Sequence, residues 1–157
     1  MQSKYTPSLQ NIGGAERTFA LVTGLIFLIV GIAGFMPSLT SFPMAAPTTF
    51  TDAPNLVSDY GYGHVFGLFP TNFLHNAVHI VVGLLGLAAA TSYGGSLYFN
   101  RAFAISYAPI AIMGLIPGLN TFFGLMPLYG NNVWFNALMG ILAAYFGFVK
   151  PVEAANA

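Results

Sequence analysis

"NFLHNAVHIVVGLLGLAAATS", Asn72 to Ser92, decides the fold. It carries no charged residue and has the length, about 20 mainly apolar residues, that a membrane-crossing helix needs. Near its start stand two imidazoles, His75 and His79, with Asn76 between them. Residues four apart share one helix face. Such a pair in so apolar a segment either ligates something or makes hydrogen bonds inside a bundle. The surrounding chain has to say which.

Three further runs match it. "TFALVTGLIFLIVGIAGFM" covers Thr18 to Met36 and stops at Pro37. "LYFNRAFAISYAPIAIMGLI" covers Leu97 to Ile116 and stops at Pro117-Gly118. "NVWFNALMGILAAYFGFV" covers Asn132 to Val149 and ends at Lys150-Pro151. Pro70 precedes the second run and Gly94-Gly95 follow it. Pro109 removes one backbone hydrogen bond inside the third and is expected to kink it. Thr71 or Asn72 is placed to cap the second helix, and Asn131 or Asn132 the fourth.

Composition points the same way. Only 5% of the 157 residues are charged and 56% are hydrophobic, where soluble domains are about 25% charged. Mean hydropathy is +0.73. A soluble domain of this length has too much surface to cover with four basic and four acidic residues. There is no basic patch for nucleic acid. Cysteine is absent, which excludes disulfides and thiolate metal sites. The reading is an all-α integral membrane four-helix bundle, a single transmembrane domain over residues 1–157. Its spans are about 18–36, 72–92, 97–116 and 132–149, with outer loops 37–71 and 117–131.

Charge sets the expected orientation. Lys4 and Arg17 precede the first span, Arg101 sits at the start of the third, and Lys150 follows the fourth. With four spans all these positions fall on one side. Asp52 and Asp59 fall on the other, in the loop between the first two spans. The positive-inside rule then makes both termini cytoplasmic, or stromal in a thylakoid. A cleaved signal peptide is the weaker reading of the first span. Its apolar run is too long, and the small residues near Met44 lie well beyond it.

Self-comparison shows a repeat. "GLFP", Gly67 to Pro70, precedes the second span, and "GLMP", Gly124 to Pro127, precedes the fourth. The first span ends "GFMP", Gly34 to Pro37, and the third "GLIP", Gly114 to Pro117. Each half reads as a helix, an outer loop and a returning helix, so two parallel helix-hairpin repeats are expected. Small residues such as Ala20, Gly24, Gly31, Gly83, Gly86 and Gly140 suit close helix contact within one bundle.

Polar residues at membrane depth face the bundle interior and find partners. Asn76 flanks the histidines, Asn136 lies at comparable depth on the fourth span, and His64 stands eleven residues before His75 in the outer loop. Two roles stay open for these five residues. In one, they anchor the long outer loop through hydrogen bonds. In the other, His75 or His79 is an axial ligand of a tetrapyrrole, chlorophyll or haem. A catalytic zinc site needs a third ligand and a base, and no span carries Asp or Glu. Neither a metal site nor a catalytic residue is therefore expected. An oligomeric channel or transporter is a further alternative, weakened by the missing intramembrane acid.

The segments "GLIFLIVGIAGFMP", "HVFGLFPTNFLHNAVHIVVGLLGLAA" and "NTFFGLMPLYGNNVWFNALMGILAAYFGF" together resemble a bacterial four-span membrane family, the domain of unknown function 4383. The resemblance runs from about Arg17 to Val149, and "GLFPTNFLHNAVH" is its most specific part. It implies a multi-pass protein of a bacterial plasma membrane or a cyanobacterial thylakoid, and it carries no activity with it. Family members often place a histidine where this chain has Asn136, a departure that favours a structural outer polar layer. The expected function is a non-catalytic accessory or scaffold subunit, in contact with lipid and docked on a larger photosynthetic or respiratory membrane complex. Self-association is compatible with the same surface.

Overall fold

The computed structural model describes residues 14–42, 56–57 and 60–150. Lys4, Asp52, Asp59 and the stretch near Met44 lie outside the described residues. Four helices form the framework: α1 (Gly14–Ala33), α2 (Phe73–Ala89), α3 (Tyr93–Leu115) and α4 (Asn131–Ala144), the last continuing as a π-helical turn over Tyr145–Val149. α1 and α4 with its π turn are long and apolar enough to cross a membrane. α2 is apolar but shorter, at 17 residues.

The second and fourth helices begin and end within a few residues of the sequence reading. The first begins earlier than Thr18 and ends at Ala33, short of Met36. The third begins at Tyr93 rather than Leu97, so Gly94 and Gly95 lie in its first turn instead of breaking the chain. The Ser92 hydroxyl accepts the Gly95 amide at 3.1 Å and caps that turn, where the amides lack intrahelical partners and glycine costs little. The helix continues through Pro109.

The helices pair as two antiparallel hairpins, α1 with α2 and α3 with α4. α1 and α2 cross backbone on backbone. A Cβ added at Gly24 would lie 2.7 Å from the Leu87 nitrogen, and one at Gly83 would lie 2.6 Å from the Leu28 nitrogen. Glycine permits that approach, and without a hydrophobic drive between helices such close packing is what holds them. α3 and α4 meet less tightly, a Cβ at Gly140 coming 3.3 Å from the Ala108 nitrogen. Phe27, fully buried, joins the hairpins. Its ring centroid lies 4.8 Å from His79 on α2, 5.3 Å from Phe103 and from Tyr107 on α3, and 5.7 Å from Phe135 on α4.

At one end of the bundle an arginine clamps each hairpin. Arg17 at the start of α1 donates from Nε to Ala90 O (3.0 Å) and from Nη2 to Thr91 O (3.3 Å), at the end of α2. Arg101 in α3 donates from Nε to Gly147 O (2.8 Å), in the π turn after α4. The same residue type does the same work in both halves, satisfying carbonyls that a helix end leaves open. The start of α1 and the end of α4 meet at this end, where Phe19 stacks on Phe146 at 4.9 Å.

At the other end the chain between α1 and α2 contains a small antiparallel sheet that the sequence reading treats as loop. Its strands are β1 (Thr40–Ser41), β2 (Gly63–Val65) and β3 (Phe69–Thr71), in the order β1-β2-β3. Thr40 pairs with Val65, and Gly63 with Thr71. Strands of two or three residues are too short to show a period in sequence.

Gly24→Leu should force α1 from α2 and lower stability by about 1–3 kcal/mol, the usual scale of overpacking. Gly94→Ala, where an added Cβ meets nothing within 4 Å, should leave the unfolding midpoint unchanged or slightly raised. Thermal unfolding in a fixed detergent compares the two.

Candidate functional site

The sheet end of the molecule carries two related turns. In Val65-Phe66-Gly67-Leu68 both central residues have positive φ, 54° and 69°, and the Leu68 amide bonds Val65 O at 3.0 Å. In Phe122-Phe123-Gly124-Leu125 the central φ values are 58° and 85°, and the Leu125 amide bonds Phe122 O at 3.2 Å. This is the pattern of a primed hairpin turn, which Asn-Gly normally fills. Here a phenylalanine stands at positive φ before the glycine each time, at a steric cost, and in the second turn Phe122 before it is left-handed too, at 46°. Phe66 and Phe123 are 48% and 68% exposed, so core packing does not explain them.

The two turns are tied crosswise by asparagines at the starts of α2 and α4. Asn72 accepts the His75 amide as the N-cap of α2 (2.9 Å). Its Nδ2 also donates to Leu125 O, in the second turn, at 2.7 Å. Asn131 donates from Nδ2 to Leu68 O, in the first turn, at 3.0 Å. Each half thus holds the turn of the other. Asn132, buried, adds bonds to Pro70 O (2.8 Å) and Pro127 O (3.0 Å). Tyr62 and Tyr129 join through their hydroxyls at 3.0 Å. The cap expected of Asn72 is present. Gly130, not Asn131 or Asn132, occupies the N-cap of α4, because both asparagines reach outward to the turns instead.

The five residues singled out in sequence separate. Asn76 is buried and accepts from the Thr71 hydroxyl at the end of β3, and it fills the space beside Gly34 where any larger residue would collide. His64 lies on β2 with its ring 5.6 Å from Tyr62 and does not join the other two histidines. His75 and His79 lie together, ring centroids 4.4 Å apart and nearly perpendicular. Both are almost fully buried, and the Nδ1 of each has no hydrogen-bond partner. Among the described residues neither imidazole bonds the outer loops. Among the described residues the hydrogen bonds to connecting carbonyls come from Asn72, Asn131 and Asn132, whose amides donate where a helix start meets a turn. Asn136 shares a cavity of about 20 Å³ with both imidazoles, Tyr107 and Met126.

A tetrapyrrole does not fit at these rings. The cavities at His79, each of about 20 Å³, are far below the roughly 300–1,000 Å³ of a pocket that takes an organic ligand. A larger groove of about 330 Å³ runs between α3 and α4, lined by Ala104, Ala108, Ile112, Ala137, Gly140 and other apolar residues, but no histidine borders it. Among the described residues no group of three His, Asp or Glu is arranged to hold a metal ion.

A family model, "Domain of unknown function (DUF4383)", matches residues 17–149. The chain belongs to this family. No curated protein and no solved structure matches it. The family match runs from Arg17, the first clamp, to the end of the π turn that Arg101 holds, so it covers both hairpins and both Phe-Gly-Leu turns. The crosswise ties are the part of this DUF4383 chain that sequence reasoning missed. The repeated F-G-L-x-P string, each copy followed within a few residues by asparagine, is the signal that carries them.

Asn132→Ala should cost about 1–3 kcal/mol, because it strands two buried carbonyls. Asn131→Ala removes two exposed bonds, to Leu68 O and from Trp134 Nε1, and should cost less. Thermal unfolding of both variants, with amide exchange at residues 68–71 and 125–128, checks the order.

Proposed function

We propose that this protein is a non-catalytic, four-span integral membrane protein that docks as an accessory or scaffold subunit on a larger membrane complex. The observation that carries the reading is the pair of Phe-Gly-Leu turns. Both hold an exposed phenylalanine at positive φ, where asparagine would sit without strain. Left-handed residues kept at a cost belong to functional surfaces more often than to scaffolding. Leu68 and Leu125 beside them are 55% and 45% exposed, so one end of the bundle presents two matched apolar knuckles.

The helical surface supports the membrane setting. Leu25 and Ile29 on α1, Leu84 and Leu85 on α2, Ile105 and Ile112 on α3, and Ile141 on α4 are all exposed, a surface suited to hydrocarbon rather than water. α2 and α3 lie alongside the two long apolar helices as hairpin partners, so all four cross together. At 1.5 Å per residue, α2 is about 26 Å long, near the roughly 30 Å hydrocarbon thickness. Arg17, Arg101 and Lys150 share the end where α1 starts and α4 finishes, which by the positive-inside rule supports a cytoplasmic or stromal side for both termini. The knuckles then face outward. The α3–α4 groove suits a lipid acyl chain. A photosynthetic or respiratory complex is the host this reading favours.

Phe66→Asn with Phe123→Asn should keep or raise thermal stability, since Asn-Gly suits both turns, while removing co-migrating partners in mild-detergent purification. Undiminished co-migration would sink the docking role. For topology, the chain has no cysteine, so single substitutions report cleanly. Lys150→Cys should react with an impermeant thiol reagent from the cytoplasmic side only, and Asp52→Cys from the opposite side only.

A further inference from the structure

The buried histidine pair has no part in the docking role. Among the described residues it makes no side-chain hydrogen bond to the loops. His75 and His79 are 5% and 6% exposed, and each keeps a buried Nδ1 without a hydrogen-bond partner. Buried polar atoms are nearly always satisfied, and an orphaned one asks for a water, an ion or a chemical role. Two orphans on adjacent turns, with rings 4.4 Å apart, border one cavity of about 20 Å³. That volume suits one small body, since a site needs about 10–15 Å³ to hold a water-sized occupant.

The donors around the cavity select the occupant. Besides the two imidazoles they are Met126, Asn136 and Tyr107, with Met126 itself buried. The set has two nitrogens and a thioether and no carboxylate or thiolate. The cost of burying an ion rises with the square of its charge, so a site with no anionic ligand disfavours a divalent ion relative to a monovalent one. Neutral nitrogen and sulfur donors in an apolar interior therefore favour a soft monovalent ion. We propose that His75, His79 and Met126 bind a single cuprous ion in the interior of the bundle, with Asn136 and Tyr107 as the flanking polar wall. Cuprous ion accepts low coordination numbers, which two imidazoles and one thioether supply. Phe27 packs T-shaped on His79, with ring centroids 4.8 Å apart.

The test uses the full chain in detergent micelles without oxygen, titrated with cuprous ion against a cuprous chelator. One ion per chain should be retained, with both nitrogen and sulfur neighbours in X-ray absorption. His75→Gln and His79→Gln should abolish retention, and His64→Gln should leave it unchanged. Met126→Leu keeps the volume and apolar character of the side chain. It should therefore fold, lose the sulfur signal and weaken binding by roughly 10- to 100-fold, the scale on which a supporting ligand acts. Three results overturn the proposal: no cuprous uptake by folded wild-type protein, uptake unchanged in Met126→Leu with no sulfur neighbour in either protein, or zinc bound as tightly as cuprous ion. The first of these leaves a water as the occupant.

Discussion

A backbone carbonyl or amide that leaves a helix in so apolar a chain has few partners, and each one left buried and unpaired costs on the order of a hydrogen bond's desolvation. This constraint shapes both ends of the molecule. At one end, Arg17 in the first turn of α1 and Arg101 two turns into α3 take up carbonyls at the end of α2 and in the π turn after α4. At the other, asparagines take up carbonyls of the two turns, and a three-stranded sheet pairs the remaining backbone. Helices alone need none of this help; the connections between them do.

The crosswise ties make the two hairpins one body. α1 and α2 adhere through glycine-to-backbone contact, while α3 and α4 leave an open groove beside Gly140. The hairpins are joined by Phe27, whose ring meets all three remaining helices, by the asparagines that reach across, by Phe19 stacked on Phe146, and by Asn100, which donates to Glu16 O at 3.2 Å. The turns that receive those bonds are thereby fixed in position. That fixity is what allows them to hold phenylalanine at positive φ, because a strained residue persists only where its surroundings over-determine it.

The interior is uneven in chemistry. Near the Arg clamps it is mostly aromatic, with Phe103 stacked on Tyr107 at 3.8 Å, and buries Glu16, Ser96 and Asn100 among the rings. Toward the turns it becomes a polar layer of Thr71, Asn72, Asn76, Asn132 and Asn136, all buried. His75 and His79 lie within that layer but outside its hydrogen bonds. Division of labour between asparagine and histidine follows from donor geometry. An amide side chain at a helix start reaches a neighbouring carbonyl directly, whereas the buried imidazoles pack on each other, and His79 on Phe27.

The sequence by itself determined the four apolar helices, their punctuation by Gly-x-x-Pro, the repeat, and the family, because length, hydropathy and proline placement are local properties. It also marked Asn72 as a cap and His75 and His79 as one face of one helix. The outer sheet, the earlier start of α3 through Gly94-Gly95, and the exchange of side chains between halves were decided only in the tertiary structure. Each of these depends on which carbonyl lies within about 3 Å of which donor, and residues 53 to 63 positions apart in the chain supply those pairs. No local pattern fixes a distance of that kind. For the same reason the sequence shows two histidines in an apolar helix, while only the packed bundle leaves their Nδ1 atoms without partners.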